Sequence, residues 1–203
     1  MLVLASASPR RRELLAQAGF SFQVHPVAIS EDPLPAEDPI AYVVRLAREK
    51  AQAAFRELTA AGTTTTVSKE LCLDGKSLAV LGADTTVTLD NQILGKPSDK
   101  NDAARMLRLL SGRTHRVLTG VALVTADGVQ VAAEATGVRF LTLSDEEIAA
   151  YIATGEPMDK AGAYAIQGRA ARWAARVEGC YFNVVGLPIA LVTSLLESLP
   201  ETV

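Results

Sequence analysis

The chain has 203 residues, 49% of them apolar and 21% charged, with a formal charge of −3. That is enough apolar material for a packed core, and the negative balance argues against a protein that binds nucleic acid polymers, which carries a basic face or stripe. A small anionic substrate stays open, because it needs only a local cluster of positive charge. Cys72 and Cys180 are the only cysteines; their spacing matches neither a zinc site nor a disulfide framework, and a reducing compartment fits best. With His25 and His115 the only histidines, a metal has to be held mainly by carboxylates, which favours hard ions such as Mg²⁺ or Mn²⁺.

Leu2 to Ala5 predicts a buried strand, and Ser8-Pro9 opens a helix, with serine as N-cap, proline at the first position and Gly19 just past the end. The charges of Arg10-Arg11-Arg12 follow the apolar run, the reverse of a secretory signal. No run approaches the roughly 20 apolar residues of a membrane span, so a soluble, cytoplasmic chain with no membrane partner is expected. A short strand over Phe20 to Val27 leads into a proline-broken acidic loop, then a long helix from about Ile40 to Leu58. Thr59 to Ser77 is polar and threonine-rich and reads as a surface insertion.

Leu78 to Leu89 is β-rich with Asp84 inside it, and Asp90-Asn91 turns the chain into a second short strand ending at Gly95-Lys96-Pro97. Helical spacing from Asp99 to Leu110 stops at Ser111-Gly112. Arg116 to Thr125 and Val129 to Leu143, joined at Asp127-Gly128, predict a hairpin. Ser144 with Glu147 forms a capping box for a helix ending near Gly155, and Pro188 to Leu199 is the last helix. Residues 1–203 thus read as one α/β domain with a mixed sheet and two lobes around a cleft.

Five clusters are placed to carry chemistry, each with a plainer alternative. Ser6 to Arg12 brings a strand to a helix N-terminus, which binds anions; three arginines there oppose the helix dipole and call for an anion, unless they are simply solvated. Lys50 falls at the centre of the stripe formed by Val43, Leu46, Ala47, Ala54 and Leu58. It is either aimed into an anion-binding cleft or snorkels from the edge of the core. Asp84, in Leu81-Gly82-Ala83-Asp84-Thr85, is a carboxylate inside a buried strand; it needs a metal, a cation or a strand end, or else caps a turn. Glu31, in the acidic loop, is a second metal carboxylate or a solvated charge. Gln167, between glycines in Asp159 to Gly168, offers a donor and an acceptor to the imide edge of thymine or uracil; a tight turn is the other reading. The glycines are expected where backbone passes close to a planar ligand.

Together LASASPRRRELL, YVVRLAREKA, LGADTTV, GKP, the Ser111 to His115 segment, GEPMDKAGAYAIQG and VVGLPI resemble, nearly end to end, the Maf family of nucleoside triphosphate pyrophosphatases. The branch acting on dTTP and UTP, with S-P-R-R and I-Q-G, is the most similar; the branch acting on 7-methylguanosine triphosphate has a tryptophan after that proline and lacks I-Q-G. The resemblance implies an elongated fold related to the inosine triphosphatases, a divalent cation (Mg²⁺ or Mn²⁺), a nucleoside triphosphate substrate and frequent homodimers. It makes Asp84 the proton acceptor, associates Arg10, Thr85 and Gln167 with substrate choice, and places Ser8, Arg11, Glu31, Lys50 and Lys96 in the pocket, Glu31 and Asp84 being read as the metal ligands. The segment from Thr59 to Ser77 is longer than the family's usual link. Two other readings stay open: a function of a different class, a nucleotide-binding regulator of septum formation with little turnover, and a pyrophosphatase directed at ITP or XTP, which shares the chemistry.

Overall fold

The computed structural model describes residues 1–61 and 78–199. Strand β1 (Leu2–Leu4) runs into helix α1 (Pro9–Gln17), and β2 (Phe22–Val24) precedes the long α2 (Pro39–Ala61). The hairpin β3 (Ala79–Leu89) and β4 (Gln92–Leu94) leads to α3 (Lys100–Leu110), and a second hairpin follows, β5 (Thr114–Thr125) and β6 (Gly128–Phe140). Helix α4 (Asp145–Ala153), three 3₁₀ turns (Glu156–Asp159, Ala161–Ala163, Arg169–Trp173), β7 (Ala174–Glu178), α5 (Tyr181–Val185) and α6 (Ile189–Glu197) complete the described chain.

One mixed seven-stranded sheet runs β2-β1-β3-β5-β6-β7, with β4 on the edge of β3. β1 pairs parallel with both β2 and β3; β3, β5, β6 and β7 pair antiparallel. Strand alternation sorts the residues by face. From β3 and β5, Val80, Leu118, Ala122 and Val124 pack under α2, while Leu81, Val87, Val117, Val121 and Leu123 face a larger core built with α1, α3, α4 and α6. The result is three layers, with α2 on one face and the other helices opposite.

Local signals set most boundaries. Ser8 caps α1, its hydroxyl accepting from the Arg11 N–H, with Pro9 in the first turn and Gly19 at φ 83°. Asp38 caps α2 through the N–H groups of Ile40 and Ala41, and Ser144 with Glu147 forms the expected capping box. Asp90 and Asn91 both have positive φ, 51° and 62°, as a two-residue hairpin requires.

Several expectations are corrected. The second strand spans only Phe22–Val24, since beyond Leu4 β1 no longer offers it a partner apart from the His25 N–H bonded to the Leu4 carbonyl. Thr59 to Ala61 extend α2 rather than opening a loop; the rest of the expected insertion, through Ser77, lies outside the described residues. Two elements carried no sequence signal strong enough to place them, β7 and the five-residue α5.

Candidate active site

The site opens where the edge of β3 loses its partner. β1 pairs with β3 at Ala79, Val80 and Leu81, and β4 takes up the same edge only from Val87. Between them the chain of β1 turns away through Ser6 to Ser8 into α1. A cleft of about 850 Å³ fills this gap, large enough for a nucleotide-sized ligand. Residues on both faces of β3 line it: Asp84 and Thr86 on the side of α2, Thr85 and Val87 on the other.

On the α2 side, the helix sits unusually low on the sheet. A Cβ at Gly82 would lie 2.1 Å from the Ala47 carbonyl oxygen, and one at Gly120, the cross-strand partner of Asp84, 2.3 Å from that of Val43. Two glycines beside Asp84 therefore let α2 approach closely enough for Lys50 to reach it. Lys50, 8% exposed, donates to Asp84 Oδ1 at 2.7 Å and to Glu31 Oε1 at 2.5 Å. Lys96, exposed two residues past the end of β4, donates to Glu31 Oε2 at 3.3 Å. Burial works to raise the Glu31 pKa, but the hydrogen bond and charge of Lys50, then Lys96, prevail and hold the carboxyl below its ordinary value. Asp84 Oδ2 has no hydrogen-bond partner among the described residues.

On the other side, Arg11 reaches in from the first turn of α1. Its Nε donates to the Gly186 carbonyl at 2.9 Å, Nη1 to Ser6 Oγ at 3.1 Å and Nη2 to Thr85 Oγ1 at 3.1 Å. Thr85 Oγ1 also lies 2.9 Å from Thr119 Oγ1. All the bonded partners of this guanidinium are neutral. Burial works to lower its pKa, opposed by the charges of Asp84 and Glu31. A cation held inside a cleft with no bonded acid among the described residues is poised for an anion.

The geometry thus brings together Ser8, Arg10, Arg11, Glu31, Lys50, Asp84, Thr85 and Lys96 on one cleft. Lys50 and Asp84 both line the cleft, Asp84 has the cationic partner that its burial called for, and Glu31 is paired rather than simply solvated. Gln167 stands apart. It is exposed and is not among the cleft-lining residues, so a buried amide is not what the fold provides. Its neighbouring glycines also have protein neighbours instead of a planar ligand. A Cβ at Gly168 would meet Glu156 Oε1 at 1.8 Å, and one at Gly162, itself at φ 66°, would meet Val87 at 2.8 Å.

The sequence reading placed Ser6 and Tyr164 inside clusters without giving either a role of its own, and gave none to Tyr42 or Gly186, all four of which line the cleft. Ser6 carried a signal, as the residue at the strand end where chain must leave the sheet. Tyr164 is buried, and its hydroxyl lies 2.8 Å from His115 Nε2; the His115 ring is edge-on to Phe140. Burial drops the His115 pKa from 6.5 to about 4.

For a divalent cation the donor set fits. Two carboxylates converge on one point occupied by an ammonium, and Mg²⁺ is commonly held by one or two carboxylates plus the phosphates of a substrate. No group of three or more His, Cys, Asp or Glu placed to hold a metal occurs among the described residues, so any ion here would draw the remaining ligands from the substrate and water.

The fold is thus a mixed α/β sheet whose cleft, at the gap on the edge of β3, is lined by basic and acidic side chains. The chain belongs to the Maf-like protein family, whose model matches residues 1–199. It is 50% identical over 196 residues to a dTTP/UTP pyrophosphatase of Koribacter versatilis, covering 97% of this chain and 93% of that protein. A dTTP/UTP pyrophosphatase of Geobacter metallireducens is also 50% identical, over 98% of this chain and 95% of its own. The Ham1 protein of Staphylococcus aureus aligns over 97% of both chains with a TM-score of 0.46 and 12% identity. No helix among the described residues is long and apolar enough to cross a membrane.

Proposed function

We propose that this chain is a nucleoside triphosphate pyrophosphatase that hydrolyses dTTP and UTP to the monophosphate and pyrophosphate. The observation that carries the site assignment is Lys50 bonded at once to Asp84 and Glu31, facing Arg11 across the gap in the sheet. The relatives' names support the substrates. A triphosphate is attacked by water only when its negative charge is offset. Arg10, Arg11, Lys50 and Lys96 bind the phosphate oxygens, with Ser8 at the helix N-terminus among them. Asp84, through the Oδ2 that has no hydrogen-bond partner among the described residues, orients the attacking water and accepts its proton. Glu31 and Asp84 would hold a Mg²⁺ or Mn²⁺ ion, which when bound supplies further Lewis-acid neutralisation of the phosphates. Thr85 and the exposed Gln167 select the base, and a cytoplasmic homodimer is part of the same proposal.

The test is pyrophosphate release from dTTP, UTP, CTP, 7-methylguanosine triphosphate and ITP with Mg²⁺ or Mn²⁺. Fastest turnover of dTTP and UTP is expected, and Gln167→Ala is expected to narrow the gap to CTP. Preference for ITP or 7-methylguanosine triphosphate would overturn the base assignment, and binding without pyrophosphate release would overturn the reaction.

A further inference from the structure

Glu31 sits in the segment between β2 and α2, which has no regular structure. A carboxylate on such a segment holds a defined position only if its main chain is anchored. Two residues of α2 supply the long-range main-chain anchors. Tyr42 donates from its hydroxyl to the Glu31 carbonyl at 2.8 Å. One helical turn on, Arg45 Nη2 donates to the Asp32 carbonyl at 3.1 Å. The same guanidinium grips Glu37 with both arms, Nε to Oε1 at 2.7 Å and Nη2 to Oε2 at 2.8 Å, and Glu37 Oε2 in turn accepts the Leu34 N–H. The Arg45 and Glu37 side chains are 16% and 8% exposed, so this bidentate pair is shielded from water, where such pairs are strongest.

Resting on the site reading above, we propose that Tyr42 and Arg45 are positioning residues. They strap the acidic loop to α2 and so fix the Glu31 carboxylate beside Asp84 as a ligand for a divalent cation. The arrangement has a geometric logic: the helix that carries Lys50 also carries the strap, so the carboxylate and the ammonium it meets are set by one rigid element. Groups that orient a metal ligand typically change metal affinity or activity by about 10- to 100-fold when removed.

The experiment is a Mn²⁺ titration of the full chain, followed by loss of the free-ion paramagnetic resonance signal, which needs no turnover. The variants are Tyr42→Phe, Arg45→Gln, Arg45→Lys and Glu31→Ala, with Tyr42→Phe and Arg45→Gln also combined with Glu31→Ala. Arg45→Gln is expected to weaken Mn²⁺ binding by about 10- to 100-fold and Tyr42→Phe by about fivefold. Arg45→Lys falls between wild type and Arg45→Gln, since lysine restores the charge but not the fork. Combined with Glu31→Ala, neither substitution weakens binding further, because both act through Glu31. Losses that multiply with that of Glu31→Ala, variants that bind like wild type, or a wild-type chain that takes up no Mn²⁺ would each overturn the strap. If Arg45→Gln does not fold, Tyr42→Phe, which removes one hydroxyl, decides alone. Wild type that binds Mn²⁺ through the strap yet releases no pyrophosphate would overturn the proposed reaction and leave the strap standing.

Discussion

Asp84 and Thr85 are consecutive residues of one strand, yet they belong to two chemically different walls. On the Asp84 wall, charges meet charges: Lys50 bonds to two carboxylates and Lys96 to one of them. On the Thr85 wall, a single guanidinium is held by two hydroxyls and a carbonyl. The first wall is internally compensated and becomes useful when an ion or water enters it. The second carries a charge that feels Asp84 and Glu31 only at a distance and has no acid bonded to it among the described residues. A pleated strand at a gap in the sheet presents both to one cleft, and the proposed function uses one wall to hold anions and the other to handle a proton.

The sharpest way to break this division is Asp84→Asn, which keeps shape and removes the proton acceptor. We expect kcat for dTTP to fall about 10²- to 10⁴-fold; near-full turnover in a pyrophosphate-release assay would end the distinction between the walls. Gly82→Ala attacks the same wall from behind. Its Cβ would press on the backbone of α2 at Ala47 and Ala51, so denaturant unfolding should register a loss of about 1–3 kcal/mol, and turnover should drop because Lys50 is lifted from Asp84. A stable, fully active variant would show that α2 is not held low by the glycine.

The Thr85 wall is tested by Arg11→Lys, which retains charge but cannot bridge Ser6, Thr85 and Gly186. Steady-state kinetics should show KM for dTTP raised about tenfold and kcat changed less; a loss confined to kcat would move Arg11 to the other wall's task. The smallest effect comes from behind this wall, at His115. Its folded pKa, about 4, lies below the ordinary 6.5 because burial disfavours the charged ring. The unfolded chain therefore binds the extra proton first as pH falls. His115 contributes its stability above pH 6.5 and loses it as the pH drops toward 4. Melting temperatures across that window should slope down in wild type and lose part of the slope in His115→Gln.

Element types were legible wherever local chemistry alone sets them. The helix start at Ser8-Pro9, the Asp90-Asn91 turn and the Ser144–Glu147 box depend on contacts within a few residues, and each was found where its sequence signal lies. Lys50 and Asp84 were legible for a different reason: each is a charge placed inside an apolar periodicity, and such a charge needs a partner. What stayed hidden was set at long range. β7 pairs with β6 through residues as polar as Arg176 and Glu178, so its strand character comes from a neighbour and not from its own pattern. Gln167 showed the opposite limit, because its flanking glycines answer to Glu156 and Val87, which no reading of the local segment reveals.

The sequence by itself determined the mixed α/β class, the capped helices, the family and the charged residues destined for a cleft, because capping, periodicity and motif order are local or linear properties of a chain. Only the tertiary structure decided which charges pair. Lys50 and Asp84 are 34 residues apart and Arg11 and Gly186 are 175 apart. Their meeting depends on α2 settling onto Gly82 and Gly120 and on β1 leaving the edge of β3, and both are outcomes of packing that no short stretch of sequence encodes.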